Sequence, residues 1–377
     1  MKTVFISAGE ASGDLHAAEL LKHLQARGSG LQFFGLGGEL MRRQNVDLLH
    51  DLRSLAVAGF WEVAKRIFHF RNIYIRTLAE IDKRKPDLAI FVDYPGLNLR
   101  LAEQCHLRGI KTVFYIVPQV WAWKKGRIHQ IEKHIDLLLS ILPFEKELFD
   151  ATKIRCEFVG HPLLDYIDEE VALQDFRKVH SVSDDKKIVA LLPGSRAGEV
   201  AKHYEIMLRA VKLLQDSGLP IRPFTAIRSE LEPALYKNAE SAAMVSPEHI
   251  DHERYSLLKN ADISIVSSGT ATLESALCGK PFCVVYRTGW ITFQIARRVI
   301  KLNNVGLVNI VAGKEIVPEF LQNRMTPENL FQFGKSVLTD ARLRESIKID
   351  LAQLRSRLGA QGASERAAGL IHESFLS

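Results

Sequence analysis

Two kinds of residue in this sequence could carry chemistry: carboxylates at the ends of apolar runs, and an arginine accompanied by small hydroxylated turns. Asp93 closes the run Leu88-Ala89-Ile90-Phe91-Val92 and precedes a Tyr94-Pro95-Gly96 turn. A buried strand that ends on an ionisable group either pairs that charge or exposes it in a cleft, where it can act as a base. Pairing with Arg100, or capping of the turn, is the structural alternative. The stretch Leu191-Leu192-Pro193-Gly194-Ser195-Arg196 has another character. Glycine permits close backbone approach, and Arg196 can grip phosphate oxygens with a bidentate fork. Ser267-Ser268-Gly269-Thr270-Ala271-Thr272-Leu273-Glu274 puts hydroxyls and free amides at the start of a helix, where a diphosphate binds well. Glu274, one turn inward, could accept hydrogen bonds from a ribose diol. Plain capping by Ser268 or Thr270 and a surface ion pair for Arg196 would account for the same residues.

Other chemistries find less support. Neither loop is a Walker sequence, and Gly35-Leu36-Gly37-Gly38 runs into Glu39-Leu40 without the third glycine of a dinucleotide fingerprint. Nicotinamide chemistry is therefore disfavoured. No Asp-x-Asp or histidine-cluster metal box appears, so neither metal nor cofactor is expected, and a leaving phosphate would be neutralised by arginine, amides and helix dipole. Cys105, Cys156, Cys278 and Cys283 lack metal-type pairing and read as reduced packing residues of a cytosolic protein. A net charge of +6 and pI near 9.0 suit an anionic partner: nucleic acid, phospholipid headgroups or a phosphorylated small molecule. Nucleic acid is the weakest of these, since no reading helix, zinc module or aromatic sheet platform is recognisable.

These residues need a scaffold to position them. With 377 residues and 47% apolar content the chain can build two cores, because single cores stop growing above roughly 250 residues. Apolar runs at 3–7, 32–36, 87–92, 112–117, 137–141 and 157–160 alternate with helical patterns; a second series runs at 188–192, 221–226, 242–245, 262–266 and 282–286. Alternation of this kind predicts open, mostly parallel sheets covered on both faces. The polar stretch at 165–185 marks the boundary, giving domains at 1–170 and 186–345 with C-terminal helices at 346–377. Those last helices either return to the first domain or reach a second subunit of a homodimer. In such sheets ligands sit beyond the carboxyl ends of the strands, which is where the loops above fall.

Several strings together resemble the lipid-A-disaccharide synthases, glycosyltransferases of the two-Rossmann-domain (GT-B) type. They are Ser7-Ala8-Gly9-Glu10-Ala11-Ser12-Gly13-Asp14, Pro118-Gln119-Val120-Trp121-Ala122-Trp123, Pro143-Phe144-Glu145, Phe158-Val159-Gly160-His161-Pro162, Leu191 to Arg196, and Ser268 to Glu274, in order over nearly the whole chain. The resemblance implies an α/β fold of two Rossmann-like domains facing across a cleft. It also implies transfer of a sugar from UDP-2,3-diacylglucosamine to the 6-hydroxyl of 2,3-diacylglucosamine 1-phosphate, with inversion, releasing UDP. Its general base falls on Asp93, with Glu10 and Asp14 as rivals that could orient the acceptor or act as base. Its diphosphate arginine falls on Arg196, and the asparagine of its Leu-x-Asn segment on Asn309, where Val308 stands in place of a common proline. Ser12, Gly13, Asp14, Asn98 and Gln119 are the corresponding acceptor-side candidates. His16 and His161 read as structural, and Trp121 and Trp123 as packing residues. A UDP-sugar epimerase or hydrolase of the same architecture is the alternative.

Substrates with acyl chains would require work at a bilayer surface. No stretch approaches the roughly 18–20 uninterrupted apolar residues that span a membrane, and the chain starts with a strand instead of a charged leader. Helical spacing between Phe60 and Ile81 gathers Phe60, Trp61, Ile67, Phe68, Tyr74, Ile75 and Ile81 on one side, and Lys65, Arg66, His69 and Arg76 on the other. With Arg71 this makes a candidate interfacial helix for an anionic membrane, implying a peripheral protein on the cytoplasmic face of the inner membrane. A helix packed on the sheet would show the same pattern. Trp290 to Phe293 with Arg297, Arg298 and Lys301 is a second such patch.

Overall fold

The computed structural model describes residues 1–28, 30–51, 62–118, 127–171, 175–289 and 304–377; the side chains of 62–70, 127 and 168–171 lie outside that description. The chain divides into two compact units, 1–162 with 358–377, and 163–357.

The first unit is built on seven strands: β1 (Lys2–Ala8), β2 (Leu31–Gly37), β3 (Asp47–Asp51), β4 (Leu88–Val92), β5 (Lys111–Tyr115), β6 (Leu137–Ser140) and β7 (Arg155–Phe158). All pair in parallel, in the order β3-β2-β1-β4-β5-β6-β7. Parallel strands are covered on both faces, which is why β4 is apolar and buried at every position. Phe5, Phe34, Phe91 and Phe114 come from four neighbouring strands and pack ring to ring, with centroids 5.4–6.3 Å apart. The helix Ala363–Ile371 returns to this unit and buries Ala367, Ala368 and Ile371. It packs against the helix Ala11–Arg27. Of the two destinations open to the C-terminal helices, that last one takes the first unit of its own chain.

In the second unit six strands repeat the plan: β8 (Lys187–Leu192), β9 (Ile221–Ala226), β10 (Glu248–Ile250), β11 (Ile263–Ser267), β12 (Phe282–Tyr286) and β13 (Glu319–Leu321). They are again parallel, in the order β10-β9-β8-β11-β12-β13. Three details depart from the sequence reading. Residues 242–245 are not a strand: Ala243 ends the helix Pro233–Ala243, Met244 turns left-handed at φ +54, and the edge strand is β10. The apolar pair Ala242-Ala243 completes a helix, where short apolar residues serve equally well. β3 and β13 are edge strands too short or too polar to show an apolar run.

Each sheet has a point where strand order reverses. In the first it lies between β1 and β4, and in the second between β8 and β11. Loops diverge there and leave a crevice at the carboxyl ends of the strands. The loops so placed are 9–14 and 93–96 in one unit, and 193–196 and 268–270 in the other.

Candidate active site

In the first unit the crevice is shaped by one buried amide. Asn98 is fully buried; its Nδ2 donates to the carbonyls of Asp93 (2.7 Å), Ser7 and Val92 (both 3.2 Å), and its Oδ1 accepts from Ser7 Oγ at 2.7 Å. It buckles the end of β1 to the end of β4. With both N–H donors engaged and its oxygen accepting from Ser7, Asn98 holds the crevice in shape. The backbone beyond β4 is held in a costly form, with Asp93 at φ +49 and Tyr94 at φ +48. Consecutive left-handed non-glycine residues persist only where their surroundings over-determine them, and such strain clusters at functional positions. Gly9 completes the arrangement, since a Cβ there would collide with the Tyr94 ring.

The side chain of Asp93 is half-buried. Burial raises its pKa above the usual carboxylate range, and the nearby Glu10 carboxylate adds to that, against the opposing pull of the Tyr94 N–H. The two carboxylates are thus brought together from different strand ends. Arg100 is exposed on the following helix, and no ion pair holds Asp93 among the described residues. Glu10 is exposed at the N-cap of the helix Ala11–Arg27 and makes no side-chain cap bond. Ser12 is exposed beside it, and Gly13 is buried in the first turn.

Asp14 turns away from this chemistry. It is 5% exposed, and its carboxylate accepts from the backbone N–H of Gly38 (2.8 Å), Leu40 (3.1 Å) and Met41 (3.2 Å). Those are orphan amides at the start of the helix Glu39–Arg43, so Asp14 ties the β2 loop in place as an N-terminal anion. Its carboxylate oxygens are engaged by the backbone of the β2 loop. His161 is buried and His16 half-buried, and loss of solvent around each ring lowers the pKa to about 3 and about 4 respectively. Gln119, Trp121, Trp123, Phe60, Trp61 and the 290–301 patch lie outside the described residues, as do the side chains of Lys65, Arg66 and Phe68. In the described part of the helix Glu62–Arg84, Ile73, Thr77 and Ile81 face the core, while Arg71, Arg76 and Ile75 are exposed. Ile75 therefore leaves the apolar side that helical spacing assigned to it.

In the second unit Gly194 has φ +132, a turn only glycine makes without strain. The Ser195 N–H donates to Glu199 Oε2 at 3.0 Å, and Arg196 Nη1 lies 3.2 Å from Glu199 Oε1. Arg196 is 80% exposed at its side chain, so this surface ion pair is weak and an anion of higher charge can compete for it. Opposite, Gly269 at φ +149 caps the helix Thr270–Leu277. Among the described residues the amides of Thr270 and Ala271 have no acceptor, while Ser268 Oγ donates to the Val305 carbonyl at 3.3 Å. Glu274 is 6% exposed and pairs with Arg254, Nε to Oε2 at 3.2 Å and Nη2 to Oε1 at 3.2 Å. Burial raises its pKa although Arg254 and Arg228 oppose this.

Asn309 is engaged by the fold around it. Fully buried, it donates to Val317 O (2.8 Å) and Glu319 Oε1 (2.9 Å) and accepts from the N–H of Ile316 (2.9 Å) and Val317 (3.2 Å). Glu319 also accepts from the amides of Val305 and Gly306. Two side chains thereby tie the loop before the helix Leu307–Ala312 to the loop entering β13. The sequence reading missed Glu199 and Glu319. A glutamate three residues after an N-cap, as Glu199 is after Arg196, is the capping-box spacing that could have revealed the first; nothing local marks the second.

Among the described residues no group of three His, Cys, Asp or Glu side chains could hold a metal, and no helix is long and apolar enough to cross a membrane.

Comparison with known proteins bears on this geometry. Solved structures of the same fold include the UDP-GlcNAc 2-epimerase from Neisseria meningitidis bound to UDP-GlcNAc (TM-score 0.67, 12% identity, 99% of each chain covered). Acinetobacter baumannii MurG is another (TM-score 0.59, 18% identity, 98% of this chain and 99% of that one). At such identities they establish the fold: two parallel-sheet α/β domains of the GT-B kind. Sequence reaches further. Lipid-A-disaccharide synthase from Syntrophus aciditrophicus is 38% identical over 97% of this chain and 96% of its own. The synthase from Myxococcus xanthus is 37% identical over 98% and 97%. The model of the lipid-A-disaccharide synthetase family matches residues 4–373. Coverage of this extent, at this identity, means that the chain belongs to the lipid-A-disaccharide synthetase family, glycosyltransferases of lipid A disaccharide synthesis.

Proposed function

We propose that the protein transfers the sugar of UDP-2,3-diacylglucosamine to the 6-hydroxyl of 2,3-diacylglucosamine 1-phosphate, giving the β-1,6 disaccharide 1-phosphate and UDP with inversion at the anomeric carbon. The observation that carries the reading is the half-buried Asp93 carboxylate, raised in pKa, beside Glu10 at the strand-order reversal of the first sheet. A single displacement needs one base. As the acceptor oxygen bonds to the anomeric carbon, Asp93 takes its proton, and the bond to the diphosphate breaks with its electron pair leaving on UDP. A base poised closer to neutral pH is better matched to that transfer. Arg196 and the amides of Thr270 and Ala271 oppose the charge developing on the departing diphosphate. Glu274, set by Arg254, is assigned the ribose. Glu10 orients the acceptor and tunes Asp93.

The lipid chains of both substrates put the reaction at a membrane surface. The exposed Arg71 and Arg76 belong to a helix whose preceding sequence is rich in aromatic and basic residues, which favours peripheral attachment to an anionic bilayer on the cytoplasmic face. Incubation of the purified protein with both lipid substrates, followed by mass spectrometry, tests the reading. Disaccharide 1-phosphate plus UDP in equal amounts is expected. Free sugar or an altered epimer would instead indicate hydrolysis or epimerisation.

A further inference from the structure

His203 lies in the helix Ala197–Asp216 with no exposed surface, and it touches the carboxyl ends of three strands. Its Nδ1 is 3.0 Å from the Pro193 carbonyl after β8 and 3.2 Å from Ser267 Oγ at the end of β11. Its Nε2 is 2.9 Å from the backbone N of Arg287, just after β12, and 3.2 Å from the Arg287 carbonyl. These neighbours dictate the tautomer. The Arg287 N–H can only donate, so Nε2 must keep its lone pair; the Pro193 carbonyl can only accept, so Nδ1 must carry the proton. The Arg287 carbonyl is then a neighbour without a bond. Burial favours the neutral ring, outweighing the hydrogen bonds and the Glu199 carboxylate, which favour charge; Lys202 acts with burial.

Two of the three strand ends carry the loops assigned above to the diphosphate, Gly194 to Arg196 and Ser268 to Thr270. The inference rests on that reading. We propose that His203 is a positioning residue for the donor: one neutral imidazole sets the spacing of three strand-end loops, so that the phosphate-facing amides and Arg196 stand ready before the nucleotide arrives. It acts through the loops and does not touch the substrate. Preorganised donors gain their advantage by removing the cost of ordering at the moment of binding.

Two substitutions divide the ring between them. His203→Asn puts an amide NH2 close to the place of Nδ1 and retains the bond to Pro193; His203→Gln puts an amide oxygen close to the place of Nε2 and retains the bond from Arg287. UDP affinity is measured by calorimetry on wild type and both variants, with thermal melting to show that each is folded, alongside kcat and the KM for the donor. Each variant is expected to bind UDP about tenfold more weakly, as for one lost hydrogen bond, with kcat/KM for the donor lowered by at least as much. Folded variants with wild-type UDP affinity would overturn the proposal, even if they melted earlier, because a packing role alone lowers stability. A wild-type protein that binds no UDP would overturn the nucleotide reading, and this proposal with it.

Discussion

Replacing Asp93 with asparagine removes a base while keeping its shape. Alanine is the poorer choice, because residue 93 sits at φ +49, where asparagine is tolerated and alanine adds roughly 1 kcal/mol of backbone strain. The asparagine oxygen still accepts from the Tyr94 N–H that the carboxylate engages. Loss of a general base lowers turnover by about 10²–10⁴, equivalent to roughly 2.7–5.5 kcal/mol of transition-state stabilisation. Stability should not fall with it. The carboxyl pKa is raised in the folded protein by burial and by Glu10, so the penalty for ionising it is fully present above the folded pKa and vanishes as pH drops below the unfolded value. At neutral pH the uncharged variant should melt at or above the wild-type temperature. Initial rates of disaccharide formation, calorimetric UDP affinity and thermal melting together decide the matter. Turnover within about threefold of wild type would refute the base assignment, since the expected loss is at least ~10². A loss accompanied by weaker UDP binding or a lower melting temperature would indicate damage to the site instead.

Glu10→Gln removes one of the two causes that raise the Asp93 pKa, so the acid limb of the pH–rate profile should move to lower pH; an unmoved limb would separate the two carboxylates. Asn309→Ala leaves the buried amides of Ile316 and Val317 without their acceptor and should cost about 2–4 kcal/mol in urea unfolding, with UDP affinity of the folded protein retained. A selective loss of UDP binding would return Asn309 to the ligand. His16 and His161 stay neutral when folded, to about 4 and about 3, but charge in the unfolded chain near 6.5. The unfolded state therefore takes up protons first, and their contribution to stability should be level above neutral pH and decline as pH falls through about 6.5 towards 4. A urea midpoint unchanged between neutral pH and about pH 5 would contradict these lowered values.

Much of the architecture was legible because the reporting residues are local. Strands buried on both faces must be continuous apolar runs, so β1, β2, β4, β5 and β6 announce themselves, as do β8, β9, β11 and β12. β3, half-exposed and flanked by aspartates, and β13, three residues long, carry no such pattern. The loops that could bear chemistry were legible for the same reason: residues such as Gly9, Gly194 and Asp93 sit directly after those runs.

What a polar side chain does at its position was another matter. Asp14, Asn98 and Asn309 look alike in sequence to ligand-binding residues, and in the fold they are engaged mostly by backbone groups. The partners of Asn98 include Ser7, 91 positions away, and those of Asp14 lie 24 to 27 positions away. The bond from Arg287 to His203 spans 84. The sequence by itself determined most of the strands buried on both faces, that most chemistry-bearing residues follow them, and to which family the motifs point. Only the tertiary structure decided which of those residues are engaged and which are free, because a hydrogen-bonding group's availability depends on what the folded chain brings within about 3 Å of it.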